Sequence, residues 1–175
     1  MKKILLVAAF IAPFFVQAQK TYSTKAAKVK FFSHTVAEDV EALNSQVLCS
    51  LNNKSGQMNF AVLIKGFKFE NSLMQEHFNE KDYMYSDKFP KAIFAGNITN
   101  IATVNFTKNG IYKVVADGTL TMHGTPQKIK QAGTLTIANG KISLKSVFKI
   151  KPKTFGIVVP EGIADTLEVT VESNF

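Results

Sequence analysis

The stretch GTLTIANGKISLKSVFKIK, residues 133–151, holds two alternating runs with Asn139-Gly140 between them. Asn-Gly readily supplies two successive positive φ angles, which a type I′ turn needs and whose twist matches the strands it joins. Counting outward from this turn pairs Ile137 with Ile142 and Leu135 with Leu144, and the same face continues through Phe148 and Ile150. The opposite face carries Lys141, Ser143, Lys145, Lys149 and Lys151. Side chains alternate along a strand, so one face of this hairpin meets a core and the other meets water. Such a sheet must cover its inner face, with a second sheet or by curling into a barrel.

Other runs follow the same rule. GQMNFAVLIKG, residues 56–66, puts Met58, Phe60, Val62 and Ile64 on one face, and IYKVVADGTLTM, residues 111–122, does so with Tyr112, Val114, Ala116, Leu120 and Met122. Further strands are expected over 28–35, 46–51, 91–99, 127–137, 154–159 and 166–172, joined by short turns. No Pro- or Ser-rich linker divides the chain, and its 175 residues suit one domain. The fold class is all-β and antiparallel, with roughly eight to ten strands, a count that suits a barrel or a sandwich.

One segment breaks the alternation. In SLMQEHFNEKDYMYSDKFP, residues 72–90, Ser72 and Gln75 match a capping box, and Leu73, Met74, His77 and Phe78 recur at helical spacing. A short amphipathic helix is expected from 73 to about 81. Pro90 then holds Phe89 extended and returns the chain to a strand near Ala92.

The first residues, MKKILLVAAFIAPFFVQAQ, combine Lys2 and Lys3 with an apolar run and the short residues Val16-Gln17-Ala18. This is the pattern of a signal peptide over 1–18, with cleavage after Ala18 and a mature domain over 19–175. The run is interrupted by Pro13 and is short of the roughly 20 residues a spanning helix needs. No cysteine follows it to carry a lipid, so a soluble mature protein is expected, periplasmic or otherwise secreted.

The formal charge of +8 falls to +6 when Lys2 and Lys3 leave with the leader. That balance suits an anionic membrane surface or an acidic ligand, and no basic motif points to nucleic acid. Cys49 is the only cysteine, so no internal disulfide forms. It shares parity with Val47 and Leu51 and reads as a small buried hydrophobe. His34, His77 and His123 lack short metal-ligand spacing, so no metal site is expected. His123 lies in MHGTP, a turn sequence. Nucleophile elbows, phosphate loops and paired-cysteine motifs are missing, and an enzyme is not expected.

Three segments carry a resemblance: SLMQEHFNEKDYMYSDKFPKAIFAG, DGTLTMHGTPQKIK and FKIKPKTFGIVVP. In order and spacing they resemble the YceI-like proteins, exported proteins with a lipocalin-like fold, which implies an all-β antiparallel barrel of about eight strands with one short helix inserted between strands. The resemblance implies an apolar cavity that takes a polyisoprenoid or an isoprenoid quinone as carrier or store, no catalysis and no other cofactor, and often a homodimer. Within such a cavity the expected lining is Phe31, Phe60, Val62, Leu73, His77, Phe78, Phe89, Phe94, Leu120, Leu135, Leu144 and Phe148. His77 would hydrogen-bond a quinone carbonyl or a phosphate, or else a backbone carbonyl. The lysines at 141, 145, 149, 151 and 153 form a ladder that keeps the sheet soluble or meets anionic head groups. The competing reading is a structural or protein-interaction barrel already filled by its twelve mature-domain phenylalanines.

Overall fold

The structure, a computed structural model, describes residues 19–34, 39–159 and 163–175. The expected leader and its cleavage site lie outside the described residues. Nine strands are present among those described: β1 (Thr21–Ser33), β2 (Val40–Asn52), β3 (Gln57–Leu63), β4 (Phe67–Phe69), β5 (Lys91–Ile98), β6 (Gly110–Met122), β7 (Thr125–Ala138), β8 (Lys141–Ile150) and β9 (Leu167–Asn174). Neighbours run β1-β9-β8-β7-β6-β5-β3-β2, and β1 pairs with β2 to close the ring. All these pairings are antiparallel. The short β4 lies beside the first half of β2, outside the eight-stranded ring. One helix, α1 (Ser72–Asn79), is inserted between β4 and β5.

The hairpin register is the one counted from Asn139-Gly140. Ile137 pairs with Ile142 and Leu135 with Leu144, and the two turn residues hold φ of 51° and 76°. His123-Gly124 repeats the device at 51° and 75° between Met122 and Thr125, so His123 has the expected turn position.

Three expectations are corrected. β1 and β2 begin earlier than their apolar parts, at Thr21 and Val40. Register shifts near Ala27 upset the alternation there, which hides those halves from a period-two reading. The segment 154–159 is not a strand. Pro152, Lys153, Thr154 and Phe155 form a 3-10 turn that ends at Gly156 with φ of 71°, and the Thr154 hydroxyl donates to the Lys151 carbonyl at 2.7 Å. The helix cap is Asn71 rather than Ser72: its Oδ1 accepts from the N–H groups of Leu73 at 2.9 Å and Met74 at 3.4 Å. Gln75 instead accepts from the Phe69 N–H, and the helix ends at Asn79, short of Lys81.

One end of the barrel is packed shut by Leu51, Ile98, Leu135, Ile137 and Ile142, all buried. Nearer the middle, Gly96 and Gly118 face each other across β5 and β6. The Phe94 ring covers this pair, so a Cβ on Gly118 would lie 2.5 Å from the Ala95 carbonyl oxygen and 2.8 Å from Phe94 Cζ. Gly118→Ala should therefore lower stability to urea by about 2 kcal/mol or more. At Gly140 a Cβ meets nothing within 4 Å, so Gly140→Ala should cost only the positive φ, about 1 kcal/mol. The reverse order in urea titrations would mean that the β5–β6 wall gives way freely.

Candidate functional site

The other half of the ring is not filled. It holds a cavity of about 460 Å³, inside the range of about 300–1,000 Å³ typical of small-molecule sites. An eight-stranded ring is wide enough to be filled by side chains or to hold one ligand, and side-chain size decides which. At the closed end β7 and β8 turn Leu135, Ile137 and Ile142 inward. Farther along, four inward positions are small, Ala92 on β5, Ala116 on β6, Gly133 on β7 and Ser146 on β8, and they alternate with larger ones such as Phe94, Leu120 and Phe148.

An aromatic group forms part of the wall. The Phe31 ring lies 5.3 Å from Phe67 and 5.7 Å from both Phe69 and Phe78, and Phe78 lies 5.0 Å from Phe69. Phe78 comes from α1, which also brings Met74 and His77 to the cavity. The chain after α1 then folds back on the helix end. Met84 N–H donates to the Phe78 carbonyl and Ser86 donates twice to the Asn79 carbonyl, each at 3.2 Å. Met84 is buried as a result and joins the lining. The polar interruption between strands thus acts as a plug with an apolar underside.

Nine of the twelve expected residues line the cavity: Phe31, Phe60, Val62, His77, Phe78, Phe94, Leu120, Leu144 and Phe148. Three lie elsewhere. Leu73 is 55% exposed on the outer side of α1, because the cap at Asn71 sets which helix face turns inward. Phe89 leaves the cavity to pack on His123, with ring centroids 4.4 Å apart, and edge-on to Tyr85. Leu135 has the inward parity but sits in the packed end.

The sequence reading missed Met58, Ile64, Phe67 and Phe69, although the same alternation pointed two of them inward. It also missed the polar members. Ser33 Oγ is buried without a hydrogen-bond partner among the described residues and lines the cavity. Gln131 faces the interior, and Ser146 Oγ donates to the Ala132 carbonyl at 2.6 Å. His77 lies at the exposed edge of the cavity, and its ring has no hydrogen bond to a backbone carbonyl among the described residues. The lining is otherwise apolar and suits a ligand held by area removed from water, with a few fixed points for polar groups.

Among the described residues no group of His, Cys, Asp and Glu is arranged to hold a metal, and His34 instead contacts Asp39 at 2.6 Å. No described helix is long and apolar enough to cross a membrane.

The YceI-like domain model matches residues 17–175 of the chain. Among solved structures, the chain is similar to BcnA of Burkholderia cenocepacia, with a TM-score of 0.70 at 16% identity, covering 85% of this chain and 96% of that one. It is similar to a polyisoprenoid binding domain from Saccharophagus degradans implicated in plant cell wall breakdown, with a TM-score of 0.72 at 12% identity over 85% and 92% of the two chains. A third, the YCEI protein of Campylobacter jejuni, aligns over 100% of this chain and 98% of its own with a TM-score of 0.58 at 17% identity. No curated protein sequence matches the chain.

Cys49 reports on the packed part of the barrel. Burial pushes its thiol up from 9.0 to about 12, so the reactive thiolate is suppressed at pH 8. Native protein should resist iodoacetamide at that pH and react fully in urea; rapid native labelling would mean that the β2 wall opens. The sign follows from burial: above pH 9 the unfolded chain releases the thiol proton first, so the contribution of Cys49 to stability falls as pH rises toward 12.

Proposed function

The chain belongs to the YceI-like domain family, and from that premise we propose that it is an exported barrel protein that carries or stores one long-chain apolar lipid of polyisoprenoid or isoprenoid-quinone type. The observation that supports this most is the unfilled half of the ring, about 460 Å³ of space walled by aliphatic and aromatic side chains. A long hydrocarbon gains affinity from each methylene removed from water, about 0.8 kcal/mol apiece, and needs few hydrogen bonds. The similarity in fold to a polyisoprenoid binding domain supports the same ligand class. No step of bond making or breaking enters the proposal.

In this reading the twelve residues of the sequence reading reduce to the nine that line the cavity, and His77, with its unpartnered ring, is placed to meet a carbonyl or phosphate. Contact with anionic membrane would use the outward lysines of β8, and a homodimer would use the outer row of Leu48, Ala61 and Ile93, aligned across β2, β3 and β5. A barrel acting only through its outer surface would need a full interior.

Native mass spectrometry of protein purified from its own envelope tests the reading directly. The expected species is a polypeptide cut after Ala18 with a bound mass that extracts as one isoprenoid class, and a doubled mass would report the dimer. A bare polypeptide that also stays bare after incubation with a polyprenol and an isoprenoid quinone in detergent would overturn the carrier. His77→Ala should weaken retention of an isoprenoid quinone several-fold, the loss of one hydrogen bond worth about 1 kcal/mol, while leaving the urea midpoint unchanged. Equal retention would remove His77 from head-group recognition.

A further inference from the structure

The β7–β8 ladder stops at Thr134 and Lys145, although β7 extends the other way to Thr125 and β8 runs on to Ile150. Continuing the register would bring Ala132 to Val147 and Lys130 to Lys149, but no ladder joins them. Beyond Gly133, β7 pairs only with β6; beyond Lys145, β8 pairs only with β9. The parting point is marked by a side chain, since the Ala132 carbonyl accepts from Ser146 Oγ at 2.6 Å where a ladder would offer a backbone N–H. Ala132 has outward parity on its strand and yet lines the cavity, together with Gly133 and Ser146. The interior therefore reaches the gap between the two strands.

The gap is a window with defined edges. Its lower sill is the hairpin ladder from Thr134 to Ala138, and at its upper end the turn Pro152–Phe155 crosses back to β7, where Gln127 Nε2 donates to the Thr154 carbonyl at 2.9 Å. The rim is small or apolar: Ala132, Gly133 and the half-exposed Val147. The banks carry outward lysines, Lys128 and Lys130 on β7, Lys149 on β8 and Lys151 just beyond its end. None of these four is in an ion pair among the described residues, whereas Lys145 is held by Glu172 and Lys153 by Asp165. The acidic cross-strand neighbours are Asp117 beside Lys130 and Glu168 beside Lys149, each on the strand away from the gap.

We propose that this window is a lateral portal that docks on an anionic bilayer, the lysine banks seating on the head groups while an isoprenoid chain passes end-on between β7 and β8. The proposal rests on the carrier reading and adds the route and the surface. Charge draws the banks to anionic lipid within a Debye length and places the apolar rim at the depth from which a chain leaves the membrane. Both strands present unpaired edge groups to the gap, so the chain meets no ladder that must first be broken.

The test is the rate at which protein takes a radiolabelled polyprenol from phosphatidylcholine vesicles doped with phosphatidylglycerol. Changing Lys128, Lys130, Lys149 and Lys151 together to Gln should slow uptake about tenfold or more, to the rate seen with undoped vesicles and at high salt. In Lys130→Cys/Lys149→Cys protein, a short bismaleimide that bridges the banks should slow uptake about tenfold relative to the same variant capped with N-ethylmaleimide, with charge and added mass alike. Buried Cys49 stays out of this chemistry at neutral pH. Polyprenol loaded from detergent during refolding should be retained equally by every form. Uptake by the bridged form at the capped rate would overturn the portal, and uptake by the lysine variant at the native rate would overturn the docking surface. Failure of native protein to retain polyprenol loaded from detergent would overturn the carrier reading itself, and the portal with it.

Discussion

The ring closes because β1 pairs on both edges, with β2 from Thr21 to Ser33 and with β9 from Lys28 to Phe32. Without that double pairing the sheet would present two long edges and an uncovered apolar face, a combination prone to association. Closure also sets the interior width, because strand number and stagger together determine the diameter. β1 achieves this with an irregular register, shifting near Ala27. The irregularity adds twist where β9 joins the other edge of the strand.

With the width set, the contents follow from side-chain volume. The closed end is filled by Leu51, Ile98, Leu135, Ile137 and Ile142, all buried from solvent. Toward the other end small inward residues, Ala92, Ala116, Gly133 and Ser146, alternate with larger ones such as Phe94, Leu120 and Phe148 and leave space between them. Replacing bulk by space in half a barrel forfeits packing contacts, so stability rests on the filled half. The α1 segment offsets part of that loss by placing Phe78 and Met84 over the aromatic group.

Most of the ring was legible because it obeys two local rules, alternation and turn chemistry. Asn139-Gly140 specified a register that the structure keeps, and the inward runs of β3 and β6 could be read residue by residue. What escaped were features set by partners distant in sequence. The first half of β1 is a strand because it pairs with the second half of β2, and the first half of β2 because it pairs with the second half of β1, although TYSTKAA has no apolar period of its own. Phe89 and Leu73 have the composition of lining residues, but a packing partner on the β6–β7 turn and a cap shifted by one residue turn them away. Leu135 shows a further limit, since parity gives the face of a strand but not the depth along the barrel. The small inward residues were visible throughout, and reading them as space would have located the cavity.

Interior and exterior carry different parts of the chemistry. An apolar wall distinguishes hydrocarbon chains weakly, since one methylene more or less changes affinity by little more than about 1 kcal/mol. In the proposed carrier discrimination would fall to the polar members of the lining, Ser33, Gln131 and Ser146, and to His77 at its exposed edge. A buried hydroxyl left without a hydrogen bond costs free energy, so Ser33, which has no partner among the described residues, would gain from a ligand that supplies one. In the proposed carrier that asymmetry favours a chain bearing an oxygen at the matching depth over a bare hydrocarbon of equal length. The lysines outside cannot make this distinction, because they sense charge alone; in the proposed docking they would set where the exchange occurs and leave the choice of ligand to the cavity.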